Sequence, residues 1–339
     1  MRIAIMGSGS LGTIIGALIT AGGQKVDLID INKEHVDALN HAGAKITGFM
    51  DFHVPVTALL PDEMTGKYDL VFLLTKQVYN QASLDQLLPH LSSDSIVCTL
   101  QNGVPEDFVA SYIGSERTIG GVVGFGATWL GPGVSELATE EQTLKNYAFD
   151  IGELDGTMTS RLEEVKKILD LVGHCHISDN IMGIKWAKLL MNATFSGMSA
   201  ALGCRFGDVL ANETAMVSLA HIADETIKVA RAHGIKLEEM QGKDMAFLEL
   251  QDENDIPNKM DFYQEVWKPH SNTKASMLQD LEKNRKTEID FINGFISKKG
   301  KEAGIHTPYN DLVVKLVKES EKKGCPSEFS NTIKHFVQV

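Results

Sequence analysis

Arg2-Ile3-Ala4-Ile5-Met6-Gly7-Ser8-Gly9-Ser10-Leu11-Gly12 opens the chain, and its reading decides the fold. The apolar run 2–6 predicts a buried strand. Leu11, Ile14, Ile15, Leu18 and Ile19 recur at helical spacing, and Gly22-Gly23 ends that helix. A second strand, Lys25 to Ile31, carries Asp30 at its end. Strand, glycine-rich turn, helix and acid-tipped strand make up a dinucleotide-binding fingerprint. In that fingerprint Gly7 permits the tight turn, Gly9 lets backbone approach a pyrophosphate, and Gly12 lets helix and strand pack closely. Gly7, Ser8, Gly9, Ser10, Leu11 and Gly12 then surround phosphate at a helix N-terminus, while Asp30 meets the ribose.

The 339 residues suffice for about two domains. Strand and helix patterns alternate through the first half. Strands are expected at Val71–Thr75, Ser95–Leu100, Arg117–Val123, Tyr147–Ile151 and Cys175–Ser178, with a hairpin near Gly131-Pro132-Gly133. Helices are expected at Asn32–Ala42 and Thr159–Leu171. Such alternation predicts an α/β fold with a doubly wound, mostly parallel sheet. Lys76 and Asn102 follow strands directly, where ligands of such sheets sit. From about residue 181 strand signals cease. The expected division is a Rossmann-type dinucleotide-binding domain over 1–179 and an all-helical domain over 180–339. Asp252 to His270 reads as a loop or short helix, with Pro257 and Pro269 as breakers.

A net charge of −13 argues against nucleic acid or an anionic membrane as main partner. The four cysteines, Cys98, Cys175, Cys204 and Cys325, are scattered and form no CxxC pair. They read as reduced thiols of a cytoplasmic protein rather than a disulfide framework. His174-Cys175-His176 has metal-ligand chemistry, but nothing nearby completes a site, so no metal is expected. No apolar run reaches the roughly 18 residues that span a bilayer.

Two helical stretches carry polar groups against their pattern. Met182 to Leu202 is apolar almost all round, yet Lys188, Asn192, Ser196 and Ser199 form one stripe at i, i+4, i+8 and i+11. A buried helix with such a stripe either lines a wet cleft or lets Lys188 snorkel to solvent. Lys274 to Lys301 reads as a second long helix with Glu288 on its inward face, seven residues from Leu281 and four from Ile292. A carboxylate there needs a cation, such as Arg285 or a lysine of another helix, or a substrate hydroxyl.

With these residues in hand, the chain resembles the ketopantoate reductases (2-dehydropantoate 2-reductases) over nearly its whole length. The resemblance rests on the GxGxxG, on Thr75-Lys76, on Gln101-Asn102-Gly103 and on Trp186-Ala187-Lys188-Leu189-Leu190-Met191-Asn192. Its most specific part is Ser276-Met277-Leu278-Gln279-Asp280 with Lys286-Thr287-Glu288-Ile289-Asp290-Phe291-Ile292-Asn293-Gly294. The resemblance implies hydride transfer from NAD(P)H to the C2 carbonyl of a small 2-keto acid. It makes Lys188 the general acid, Asn192 and Ser276 substrate-holding groups, and Glu288 the group that orients substrate and lysine. A carboxylate nearby would keep the Lys188 ammonium charged. Lys76 and Asn102 then lie beside the nicotinamide, and a homodimer is compatible with the family.

Two departures bear on specificity. NADPH-dependent members carry a basic residue after the second strand; Asp30 there suits the free 2′-hydroxyl of NADH, although Lys33 follows closely. Ser196 stands where the family often has an asparagine that recognises the pantoate hydroxyl. The stretch between Gly234 and Ser276 is also long for the family, and would reshape the cleft mouth. The alternatives are therefore an NADH-dependent D-2-hydroxyacid dehydrogenase for branched or aromatic 2-keto acids, and a non-catalytic nicotinamide sensor.

Overall fold

The structure, a computed structural model, describes residues 1–240 and 242–339. The chain divides into two compact units, Met1–Ile181 and Met182–Val339. The first contains β1 (Ile3–Met6), β2 (Val26–Ile29), β3 (Ala44–Gly48), β4 (Phe52–Val54), β5 (Thr57–Leu59) and β6 (Tyr68–Leu73). It continues through β7 (Leu91–Thr99), β8 (Thr118–Val123), β9 (Ala127–Gly131), β10 (Val134–Leu137), β11 (Phe149–Gly152) and β12 (Cys175–Ile177).

Eight of these strands form one sheet in the order β12-β11-β8-β7-β6-β1-β2-β5. From β8 to β5 every pairing is parallel, and β11 joins β8 antiparallel. Those six parallel strands have the doubly wound order of a dinucleotide-binding fold. Apolar residues fill both faces of the central strands, because helices cover both sides. The remaining four strands make a small sheet in the order β4-β3-β10-β9, which the sequence reading did not foresee beyond its hairpin near Gly131. Strands of three to five residues such as β3, β4 and β5 carry too few apolar positions to declare a period.

Register matters more than order. Met6 lies opposite both Ile29 and Leu73, and Leu73 lies opposite Thr99. Four adjacent strands thus end on one line. The residues after them, Gly7, Asp30, Leu74 to Lys76 and Leu100 to Asn102, emerge along one edge of the sheet.

The second unit is helical among its described residues, with only an isolated bridge between Met240 and Lys243. Both long helices read from the sequence are interrupted. Residues 181–202 run as α-helix Ile181–Met191, π-helical turn Asn192–Ser196 and α-helix Gly197–Leu202. Lys274 to Lys301 is not one helix. Helix Ser276–Glu282 stops because Asn284 turns left-handed (φ 50°). Asn284 N–H then donates to Leu281 O (3.0 Å) and Arg285 N–H to Asp280 O (2.8 Å), a Schellman closure. A single turn Ile289–Phe291 and helix Asn293–Ala303 follow. Pro257 also acts differently from expectation. It sits in the first turn of helix Ile256–Trp267, where its missing N–H costs nothing, so it starts a helix rather than breaking one.

Cys98, Cys175 and Cys204 are buried free thiols and Cys325 is exposed. Burial pushes the Cys175 and Cys204 thiols up to about 12. No helix among the described residues is long and apolar enough to cross a membrane.

Helix Glu213–Ala232 meets the start of helix Pro308–Lys323 through a buried carboxylate. Glu225 accepts from Tyr309 N–H (2.9 Å), Asn310 N–H (3.0 Å) and Asn310 Nδ2 (2.7 Å). Burial outweighs these donors and lifts its pKa from 4.5 to about 7. The folded chain therefore keeps a proton that the unfolded chain releases. The stability this group contributes is full below pH 4.5 and is lost as pH rises to about 7. We expect the difference in unfolding free energy between the protein and Glu225→Gln to change by about 3 kcal/mol across that window, measured by urea denaturation. A difference that stays constant with pH would show that Glu225 titrates like a surface carboxyl.

Candidate active site

The glycine-rich turn is built as its spacing requires. Gly7 adopts φ 98°, and a Cβ on it would lie 2.6 Å from Thr75 N, so only glycine fits. Gly7 and Ser8 N–H groups both donate to Ile29 O (2.9 and 3.0 Å), which ties the turn to β2. A Cβ on Gly12 would lie 2.4 Å from Gly7 O. Gly9, in contrast, faces open space: a Cβ there would meet nothing within 4 Å. It caps helix Ser10–Ala21, which has no side-chain cap and no acidic residue in its first turn. Open space against a helix N-terminus free of competing carboxylates fits a pyrophosphate.

Beside the turn, Asp30 directly follows β2 and accepts from Asn32 N–H at 2.9 Å. Lys33 is engaged by Asp37 one helical turn on (2.8 Å). Further along the same edge, Gln101 Nε2 donates to Thr75 O (2.5 Å) and Asn80 Oδ1 (2.6 Å), and Gln77 Nε2 donates to Asn102 O (2.5 Å). These amides clamp the segments that carry Lys76 and Asn102, which are half-buried and exposed respectively.

His35 is a residue that the sequence reading missed. It is fully buried on helix Lys33–Ala42. Its Nδ1 accepts from Gly133 N–H (2.9 Å), so the proton resides on Nε2, which donates to Ser8 O (2.7 Å). Thr13 Oγ1 donates to the same carbonyl at 2.8 Å. Burial lowers the imidazole pKa, and the neutral ring links the glycine-rich turn to the β9–β10 hairpin. No local pattern marks a histidine that acts on a carbonyl 27 residues earlier.

In the second unit, helix 181–191 and its π turn are buried except at a few positions. Lys188, Asn192 and Ser196 are half-buried, whereas Lys185, Trp186, Ala187, Leu189 and Leu190 are buried. Ser199, the fourth member of the expected stripe, does not belong to it. It is fully buried, and its hydroxyl donates to Cys204 O at 2.6 Å, because the π turn shifts the phase of everything after Ser196. Glu288 is nearly buried (9% exposed), at the start of the turn Ile289–Phe291 rather than on a helix. Thr287 N–H and Oγ1 hold that turn by donating to Glu321 (2.8 and 2.7 Å). Five residues after Glu288, Asn293 Nδ2 donates to Ala193 O (3.0 Å), next to Asn192. Helix Ser276–Glu282 packs on the π turn and on helix Gly197–Leu202, with Ser276 exposed at its first residue. The segments bearing Asn192, Ser196, Ser276 and Glu288 are thus gathered around one turn.

Within the long segment before Ser276, Trp267 stacks on Phe195 of the π turn (centroids 4.4 Å apart). Leu190, Met191, Met245, Phe262, Val266 and Trp267 line a small apolar recess there.

A doubly wound sheet with an open glycine turn, followed by a helical unit with a polar stripe, defines a dinucleotide-dependent oxidoreductase class. Residues 3–148 match the model of the family "Ketopantoate reductase PanE/ApbA", and residues 180–321 match that of its C-terminal part. The chain is 30% identical to the 2-dehydropantoate 2-reductase of Pyrococcus horikoshii, over 96% of this chain and 99% of that one. It belongs to the ketopantoate reductase family. Among solved structures it is similar to a ternary complex of D-mandelate dehydrogenase with NADH and anilino(oxo)acetate, with TM-score 0.81, 27% identity, and 96% and 99% of the two chains covered. It is also similar to a PanE/ApbA family ketopantoate reductase from Ralstonia eutropha JMP134, with TM-score 0.80, 26% identity and the same coverage.

The two glycines give opposite expectations. Gly7→Ala should cost about 2–3 kcal/mol of stability through backbone strain and collision with Thr75 N. Gly9→Ala should unfold at the unchanged temperature but bind NADH about tenfold more weakly, a loss of roughly 1.4 kcal/mol. Calorimetry with nucleotide titration checks both; unchanged nucleotide binding by Gly9→Ala would remove the turn from the cofactor site.

Proposed function

We propose that this protein reduces the C2 carbonyl of a 2-keto acid to the D-2-hydroxy acid with NAD(P)H, ketopantoate being the substrate that the family points to first. The observation that carries this reading is the polar stripe Lys188, Asn192, Ser196, half-buried on an otherwise buried helix. In this reading residues 1–179 bind the nucleotide, through Gly7 to Gly12, Asp30, Lys76 and Asn102, and residues 180–339 hold the substrate. A bound reduced nicotinamide supplies the hydride. The Lys188 ammonium stabilises the negative charge that develops on the carbonyl oxygen and donates its proton there. Asn192 and Ser276 hold the substrate and its carboxylate by hydrogen bonds, and Ser196 meets its side chain. Glu288 orients the substrate and Lys188. The second unit is also where a homodimer contact would form.

For the cofactor we infer a preference for NADH. Asp30 repels a 2′-phosphate, and Lys33, the nearest cation in sequence, is already paired with Asp37. A second reading, reduction of branched or aromatic 2-keto acids, is favoured by Ser196, by the apolar recess beside the π turn and by the likeness to D-mandelate dehydrogenase.

Oxidation of NADH and NADPH against ketopantoate, phenylglyoxylate and branched 2-keto acids tests these readings. We expect a higher kcat/KM with NADH than with NADPH; the reverse order would refute the role given to Asp30. Lys188→Ala should lose about 10²–10⁴-fold in kcat while nucleotide affinity is retained. Near-normal turnover by that variant would take Lys188 out of the mechanism.

A further inference from the structure

A π turn widens the backbone spiral, so its carbonyls no longer all find the N–H groups that an α-helix provides. Here side chains add donors to carbonyls in and beside the turn. Thr194 Oγ1 donates to Leu190 O (2.9 Å) and Met191 O (3.0 Å) from within the helix. Ala193 O is served from a different segment, by Asn293 Nδ2 at 3.0 Å. Asn293 is fully buried, and the approach is close enough that a Cβ on Gly197 would lie 2.6 Å from Asn293 Oδ1.

The same Asn293 amide also donates to Asn310 Oδ1 (2.9 Å), and Asn310 Nδ2 donates to Glu225 Oε2 (2.7 Å). This chain has one polarity. Glu225 accepts from two backbone N–H groups as well and, once ionised above about pH 7, has acceptors only, so the Asn310 amide must present its NH₂ to it. Asn310 must then present oxygen to Asn293, and Asn293 must present NH₂ to Ala193 O. Reversing any amide would set acceptor against acceptor in a dry interior, a costly arrangement.

We propose that Asn293, its orientation fixed by Asn310 and Glu225, is a positioning residue for the reaction and holds the π turn that aligns Ser196 with Lys188 and Asn192. In a regular α-helix, eight residues at about 100° each would leave Ser196 about 80° round from Lys188. The wider turn closes that offset. Losing the Asn293 donor removes the bond that holds Ala193 O from a second segment, favours the α register, and turns Ser196 out of the stripe. The inference rests on the functional reading given above for that stripe.

Asn293→Asp keeps the shape and removes the donor. We expect kcat/KM for the 2-keto acid to fall about 10–100-fold, with the dissociation constant for NADH unchanged. We also expect faster hydrogen exchange over residues 190–198 and unchanged exchange elsewhere in the second unit. Assayed above pH 7, where Glu225 is ionised, Asn310→Asp sets two carboxylates against each other and should impair turnover in the same way. Should Asn293→Asp fail to fold, Asn310→Asp carries the test through its own kcat/KM and its exchange over residues 190–198. Unimpaired kcat/KM and exchange in Asn293→Asp, or in Asn310→Asp where the former does not fold, overturns the proposal. If the unaltered protein reduces no 2-keto acid, the functional reading falls instead, and the exchange measurement still decides whether Asn293 anchors the turn.

Discussion

Everything in the first unit depends on four parallel strands stopping at the same level. Ile29, Met6, Leu73 and Thr99 are successive neighbours across the ladder. Hydrogen-bond register therefore delivers the glycine turn, Asp30 and the two loops bearing Lys76 and Asn102 to one edge. A one-residue slip in a strand would both turn its side chains over and move its loop out of line. The apolar strands that build the core are thus also the ruler for the nucleotide site. The buried His35 and the Gln77 and Gln101 amides then hold the loops by donating to their carbonyls.

The second unit solves a different problem. A helix buried on nearly all sides must present three polar groups on one line without unravelling. It does so by a local change of helical pitch at which Thr194 and Asn293 add side-chain donors to the carbonyls. The block around Glu288 gains a second purpose from this. It brings a carboxylate close to the interior, and five residues later it supplies the amide that supports the opposite helix. The length and specificity of that block in the sequence accord with one short segment performing both tasks.

Much of this was legible beforehand, for identifiable reasons. The glycine turn, Asp30 and the central strands carry strong local signals: dense apolar runs, positional glycines and a helix terminated by glycine. The short strands β3 to β5 carry none, and the small sheet went unseen. The two helix interruptions were missed for opposite reasons. Asn284 gave a usable signal, an asparagine able to turn left-handed after an apolar stripe, and a fixed helical period was laid over it. The π turn gave none, since its residues Asn192–Ser196 suit an α-helix equally well; only the carbonyls served by other side chains betray it. Glu288 was picked out as a misplaced carboxylate on a helix that does not exist. It is nearly buried all the same, because the buried Thr287 and Ile289 on either side hold the segment inward. His35, Asn293 and Asn310 act over 27, 100 and 85 residues of separation, beyond the reach of any periodicity.

The cysteines have a practical corollary. Two of the three interior thiols are held so far above neutrality that they offer almost no thiolate, and all three are shielded from solvent. Cys325, just beyond the helix Pro308–Lys323, is left as the accessible thiol among the described residues. The natural chain thus comes with a single chemical handle. A maleimide dye would decorate one defined point, at the far end of the helix whose beginning is tied to Glu225, and its fluorescence could follow that helix without any residue being replaced.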